Sequence, residues 1–183
     1  MIRFLDVVIA LFGLLVLSPL LVVICICGFF DTGSPLFRQN RVGRFKTQFT
    51  LVKFRSMHKD SPSVASHLVD PSAVSSFGHF LRRTKLDELP QLFNVIKGEM
   101  SLVGPRPGLS NQPDLTEARE KYGVYSVRPG ITGLAQVSGI DMSTPDLLAK
   151  TDAEMISQMS VLNYFKYILL TILGNGSGDR IKQ

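Results

Sequence analysis

The 183-residue chain has little of what staples a small domain with disulfides or zinc. Its two cysteines, Cys25 and Cys27, sit two residues apart inside an apolar run, a placement that suits neither a disulfide framework nor a zinc site. They read as small apolar fillers. His58, His67 and His79 show no ligand spacing and have no partnered cysteine, which argues against a metal role for any of them. Acidic residues are the scarcer charge, 15 against 20 basic, giving a net charge of +5. That balance suits a phosphate-rich partner: a nucleotide, a lipid phosphate, an anionic bilayer or nucleic acid. Nucleic acid fits worst, because the basic residues are dispersed rather than gathered into one arm and no zinc-finger spacing occurs.

Charge is missing altogether between Val7 and Phe30, a run of about 24 residues against the ~18 that suggest a membrane helix. As a straight helix it would reach about 36 Å, enough to cross a ~30 Å hydrocarbon core. No small-residue cleavage site follows, so the run does not read as a signal peptide. Pro19 cannot donate to the Leu15 carbonyl and predicts a bend near the middle, with the Ser18 hydroxyl bonding back to a freed carbonyl. Each half would then be about 18 Å long, too short to cross alone. Basic groups flank both ends, Arg3 before and Arg38, Arg41, Arg44 and Lys46 after. The positive-inside tendency would put both flanks in the cytoplasm. On these grounds a kinked spanning helix and a re-entrant one are equally open.

The densest chemistry runs from Lys85 to Pro107. Asp87 and Glu88 stand side by side at the start of an expected helix, with Asp87 or Leu86 as N-cap, Pro90 in the first turn and Gly98 ending it. Backbone N–H groups and the positive helix end would then face whatever occupies Asp87, a good place for a phosphoryl group. A carboxylate can attack phosphorus, and a second one beside it can hold a divalent cation. Gly104-Pro105-Arg106-Pro107 fixes the backbone and projects one guanidinium suited to bidentate phosphate contact.

The sequence Leu86-Asp87-Glu88-Leu89-Pro90-Gln91-Leu92, followed by Met100-Ser101-Leu102-Val103-Gly104-Pro105-Arg106-Pro107, resembles the monotopic phosphoglycosyl transferases, a family of bacterial sugar transferases. The likeness extends from the Arg3–Asp6 start to the helix around Lys166. It implies a re-entrant membrane helix broken at Ser18-Pro19, with interfacial amphipathic helices and a small mixed helix/strand domain, α/β (α+β) in class, on the cytoplasmic face of the inner membrane. Residues 1–31 would form the membrane helix, 32–173 the catalytic domain and 174–183 a disordered tail. It also implies a ping-pong reaction. A sugar 1-phosphate passes from a nucleotide diphospho-sugar, expected to be a UDP-linked amino sugar, to Asp87 with release of UMP, and then to undecaprenyl phosphate. Asp87 and Glu88 would share magnesium (or manganese). Monomer and homodimer are both compatible with these motifs.

Further residues have two readings each. The segments Ser34–Gly43 and Gln48–Arg55 look like two strands around a Gly-containing turn, with Lys53 and Arg55 on one face. Lys53–Met57 is similar to the family's Lys-Phe-Arg-Ser-Met motif, so substrate phosphate competes with a merely solvated face. Arg82 and Arg83 ride a short helix from Phe77 to Lys85 toward the dyad, able to pair with carboxylate or phosphate. Glu99 is either a further metal ligand or a helix-end surface residue. Arg128 and Gln136 lie in a stretch matching the family's Arg-Pro-Gly-x-Thr-Gly-x-Ala-Gln-Val segment, where nucleotide contact and a structural role are evenly balanced. The chain departs from that family at Gly139-Ile140-Asp141, where many relatives continue Gly-Arg, and at Tyr164, where they often carry an acid. Ser61–Ser76 reads as a loop, Thr144–Gln158 as a helix entered at Pro145, and Val161–Leu173 as an apolar helix too short to span.

Overall fold

The computed structural model describes residues 1–59, 61 and 70–176. It opens with α1 (Ile2–Thr32), one helix of 31 residues closed by Gly33 in the left-handed conformation. At Ser18-Pro19, where a break is expected, the helix assignment continues through Pro19. What proline costs there is one backbone hydrogen bond, and the Ser18 hydroxyl donates to the stranded Leu15 carbonyl at 2.8 Å.

A hairpin follows, β1 (Leu36–Val42) antiparallel to β2 (Gln48–Phe54), as the alternating pattern predicts. Next come α2 (Ser76–Thr84), α3 (Gln91–Lys97), β3 (Ser101–Val103) and α4 (Pro113–Lys121). After β4 (Gly130–Thr132), which pairs parallel with β3, the chain forms α5 (Leu134–Val137), α6 (Pro145–Ser157) and α7 (Val161–Ile172). The architecture is mixed helix and strand, with two small two-stranded sheets. Residues 62–69 of the expected Ser61–Ser76 loop, His67 among them, and residues 177–183 of the expected tail lie outside the described residues.

One core joins α1 to the rest. Ala10 of α1, Leu51 of β2, Val95 of α3, Leu102 of β3, Met155 of α6 and Tyr164 of α7 are buried together. A second cluster sets Ile24 of α1 against Phe54 and Leu81, with Leu86 packed on it. Polar contacts lock both ends of α1 to the same body. Near the start, one Asp6 carboxylate oxygen accepts from Ser101 Oγ, the Leu102 N–H and the Tyr164 hydroxyl, each at 2.9 Å. Near the end, Ser75 Oγ donates to Asp31 at 2.6 Å. The opposite face of α1 is bare, with Phe4, Phe12, Leu15, Val23 and Phe30 exposed. On α7, Tyr164 and Tyr167 are buried while Leu162, Leu169, Ile172 and Leu173 are exposed.

Candidate active site

The site is built at the hinge between α2 and α3. Ser75 caps α2, its hydroxyl accepting from the Gly78 N–H at 2.9 Å, and Lys85 ends the helix in the left-handed conformation. Leu86–Glu88 then make a 3₁₀ turn, and α3 begins only at Gln91. Asp87 is therefore not the N-cap of a helix, contrary to expectation. The reason is Pro90: without an N–H it cannot close an α-type bond to Leu86, so the chain uses the tighter Glu88 N–H to Lys85 and Leu89 N–H to Leu86 bonds, both 3.2 Å. Gly98 ends α3 in the left-handed conformation, as expected. Asp87 and Glu88 are both buried, 1% and 6% exposed, so the dyad is a walled site rather than a solvated helix cap.

Arg106 reaches the dyad from the facing turn, donating from Nη2 to Glu88 Oε1 at 3.2 Å. That turn is held carbonyl by carbonyl. Gln136 Nε2 donates to Gly104 O at 3.2 Å and the Gly130 N–H to Pro105 O at 2.8 Å. Arg119 Nη1 donates to Arg106 O at 2.8 Å, Arg41 Nη1 to Pro107 O at 3.0 Å, and the Val42 N–H to Gly108 O at 3.0 Å. Five successive carbonyls are thus claimed by β1, α4, β4 and α5, and the two prolines leave the turn little freedom of its own. Arg119 is itself fixed by a buried ion pair, Nη2 to Asp152 Oδ2 at 2.7 Å. Burial pushes the Asp152 carboxyl above its ordinary range, opposed by the Arg119 charge and its hydrogen bond.

Beside Arg106 lies a small polar recess formed with Arg41, Lys53 and Gln91. Lys53 is buried, its ammonium 5.9 Å from the Phe37 ring centroid. Three cationic side chains gather there, Arg106 linking them to the buried carboxylates, a charge pattern that attracts phosphate. The two carboxylates are the hard oxygen donors that magnesium takes, and a site of one or two carboxylates completed by substrate phosphate is its usual form. Among the described residues no third acidic, histidine or cysteine side chain joins them.

Of the residues nominated from sequence, Asp87, Glu88, Arg106 and Lys53 come together. Arg55 turns away, donating to the Ser34 and Leu36 carbonyls at 3.0 and 3.4 Å while sharing the Phe37 ring with Lys53. Arg82 is buried on α2 and donates from Nε to Ser56 Oγ at 2.8 Å. Arg128 donates to the Gly98 carbonyl at 2.8 Å, and Gln136 acts on the turn. Glu99 accepts from Asn94 Nδ2 at 2.6 Å, at the far end of α3 from the dyad. Sequence reasoning missed Arg41 and Gln91 as lining residues and Arg119–Asp152 as the turn's support. Only Gln91 carried a signal, its place in the dyad block.

A family model described as bacterial sugar transferase matches residues 1–175. The chain is 38% identical over 180 residues to the UDP-glucose:undecaprenyl-phosphate glucose-1-phosphate transferase of Caulobacter vibrioides, covering 93% of this chain and 67% of that protein. It is 37% identical over 193 residues to galactosyl transferase CpsE of Streptococcus agalactiae, covering 96% of this chain and 43% of that one. With the undecaprenyl-phosphate galactose phosphotransferase of Salmonella typhimurium it shares 39% identity over 154 residues, 75% of this chain and 32% of that protein. The chain therefore spans less than half the length of two of these three relatives.

Proposed function

Because the chain belongs to the bacterial sugar transferase family, we propose that it transfers a sugar 1-phosphate from a UDP-linked sugar to undecaprenyl phosphate, the first step in building a surface glycan. The observation that carries this reading is the buried Asp87–Glu88 turn faced by Arg106 from a fully anchored loop. An Asp87 carboxylate oxygen attacks the sugar-bearing phosphorus. The bond from that phosphorus to the bridging oxygen breaks, UMP leaves, and the phosphosugar stays on Asp87 as an acyl phosphate. An oxygen of the lipid phosphate then attacks the same phosphorus, the bond to Asp87 breaks, and the carboxylate is restored. Arg106, Lys53 and Arg41 receive the diphosphate charge and orient it. Asp87 and Glu88 would hold magnesium, which when bound screens their mutual repulsion and the charge of the departing phosphate.

The donor names among the relatives are glucose and galactose. The amino sugar expected from sequence has no counterpart there, so UDP-glucose and UDP-galactose stand first among donors to test. The membrane reading is a monotopic one, with both ends of α1 held on the cytoplasmic face and the exposed face of α7 against the bilayer interface. The same body grips α1 at Asp6 and at Asp31, which supports this over a spanning helix.

The test is UMP release by purified protein with magnesium across UDP-sugars, with and without undecaprenyl phosphate. Wild type should release UMP and carry a phosphosugar adduct on Asp87 by mass spectrometry. Asp87→Asn should lose both, a fall in turnover of about 10³-fold or more. An adduct at full level in Asp87→Asn would refute the nucleophile.

A further inference from the structure

A second cavity, of about 350 Å³, is lined by Glu88 of the dyad turn and shares only Ile131 with the cationic recess. Its walls are apolar side chains from four directions: Ile9 of α1, Leu92 of α3, Leu102 and Ile131 of the β3–β4 pair, and Ile168 of α7. Of the three wall threonines, Thr132 and Thr171 hydrogen-bond to each other and Thr84 donates to the Phe80 carbonyl, so they offer little to a polar guest. Glu88 lines one side, while Ile172, 75% exposed, opens another beside the bare apolar residues of α7. The volume is within the lower range of small-molecule sites.

We propose that this cavity receives the first isoprene units of the polyprenyl phosphate acceptor, with the phosphate at the Glu88 end and the rest of the chain leaving past Ile172 into the bilayer. The proposal rests on the transferase reading and adds where the acceptor sits. The occupant follows from what the cavity joins. One end touches a carboxylate of the dyad, where a phosphate must arrive, and the other is continuous with an apolar exterior fit for lipid. A nucleotide suits neither the lining nor the mouth, and the cationic recess lies on the Arg106 side, with only Ile131 common to both. Donor and acceptor would thus reach the dyad through separate pockets.

Two measurements test this on the full chain in detergent or nanodiscs. A benzophenone-bearing prenyl phosphate, with no donor present, should crosslink to peptides of β4 and α7 and be competed by undecaprenyl phosphate. Labelling confined to other segments, or none, would overturn the site. Ile168→Trp should slow lipid-dependent discharge of the adduct about tenfold more than it slows UMP release. Ile172→Trp, at the exposed mouth where folding is not at stake, should shift the same ratio in the same direction. Equal losses in the two half-reactions would also overturn it. Should wild type release no UMP from any donor, the proposed chemistry falls, while the crosslink still decides whether a prenyl chain occupies the cavity.

Discussion

Asp6 is a carboxylate in the first turns of an otherwise apolar helix, and its burial would be costly without partners. Three donors converge on one of its oxygens, and Tyr164 is the most distant in sequence. Burial, then the charge of Asp6, then the hydrogen bond hold the Tyr164 phenol far above its ordinary range. For a group whose folded pKa is raised, the contribution to stability is complete below the unfolded value, about 10, and drains away as pH climbs toward the folded one. Tyr164→Phe should cost about 2 kcal/mol at pH 8, the worth of a buried hydrogen bond to a charged group. Between pH 8 and 11 the gap between wild type and variant should narrow by roughly 1 kcal/mol. Urea unfolding followed by circular dichroism reads both, since the chain has no tryptophan. A gap constant across that range would mean the phenol is not the donor. The position was legible as a departure from the family, where an acid is common; the partner was not, because nothing local links residue 164 to residue 6.

Elements whose signals are local were readable: the hairpin, α2, α6 and α7 follow from alternation, a serine cap and a first-turn proline. The dyad turn misled because Leu-Asp-Glu-Leu-Pro has the composition of a helix start, and only the left-handed Lys85 ahead of it and the missing Pro90 N–H separate it from one. Strands β3 and β4 were unreadable. Each has three residues, too few for alternation to show, and they pair across a gap in sequence that holds all of α4. Their contact is close because both sides are glycine: a Cβ on Gly130 would lie 2.0 Å from the Gly104 nitrogen. Gly130→Ala should therefore push the strands apart, cost on the order of 3 kcal/mol, and reduce UMP release by freeing the Pro105 carbonyl that Gly130 holds. Gly139, left-handed with open space around it, is the control. Gly139→Ala pays only the conformational term, about 1 kcal/mol, and should keep activity. Similar thermal shifts in the two variants would show that crowding at Gly130 is not what keeps the strands close.

For the whole molecule the question is which side of the bilayer each end of α1 occupies. A helix of 31 residues is about 46 Å long, so length alone would let it cross. Sequence pointed to Pro19 as the element deciding otherwise, yet the helix runs through it. The contacts that support the monotopic proposal are elsewhere. Asp6 is tied to β3 and α7, Asp31 to Ser75 at the entry of α2, and both tie to one folded body. A spanning α1 would hold those two ends across a ~30 Å hydrocarbon core, and a single body cannot grip both without entering the bilayer itself. The Asp6–Ala10–Ile24–Gly28 stripe of the helix is buried on the domain; in the proposed monotopic placement its bare face would meet lipid at the interface. In a background lacking Cys25 and Cys27, single cysteines at residues 2 and 34 should both react with an impermeant maleimide on inverted membrane vesicles, and neither on intact spheroplasts. Pro19→Ala should leave this pattern unchanged, because it touches neither anchor. Labelling of residue 2 from the outer side alone would mean that α1 crosses and that the Asp6 network forms only when the domain is out of the membrane.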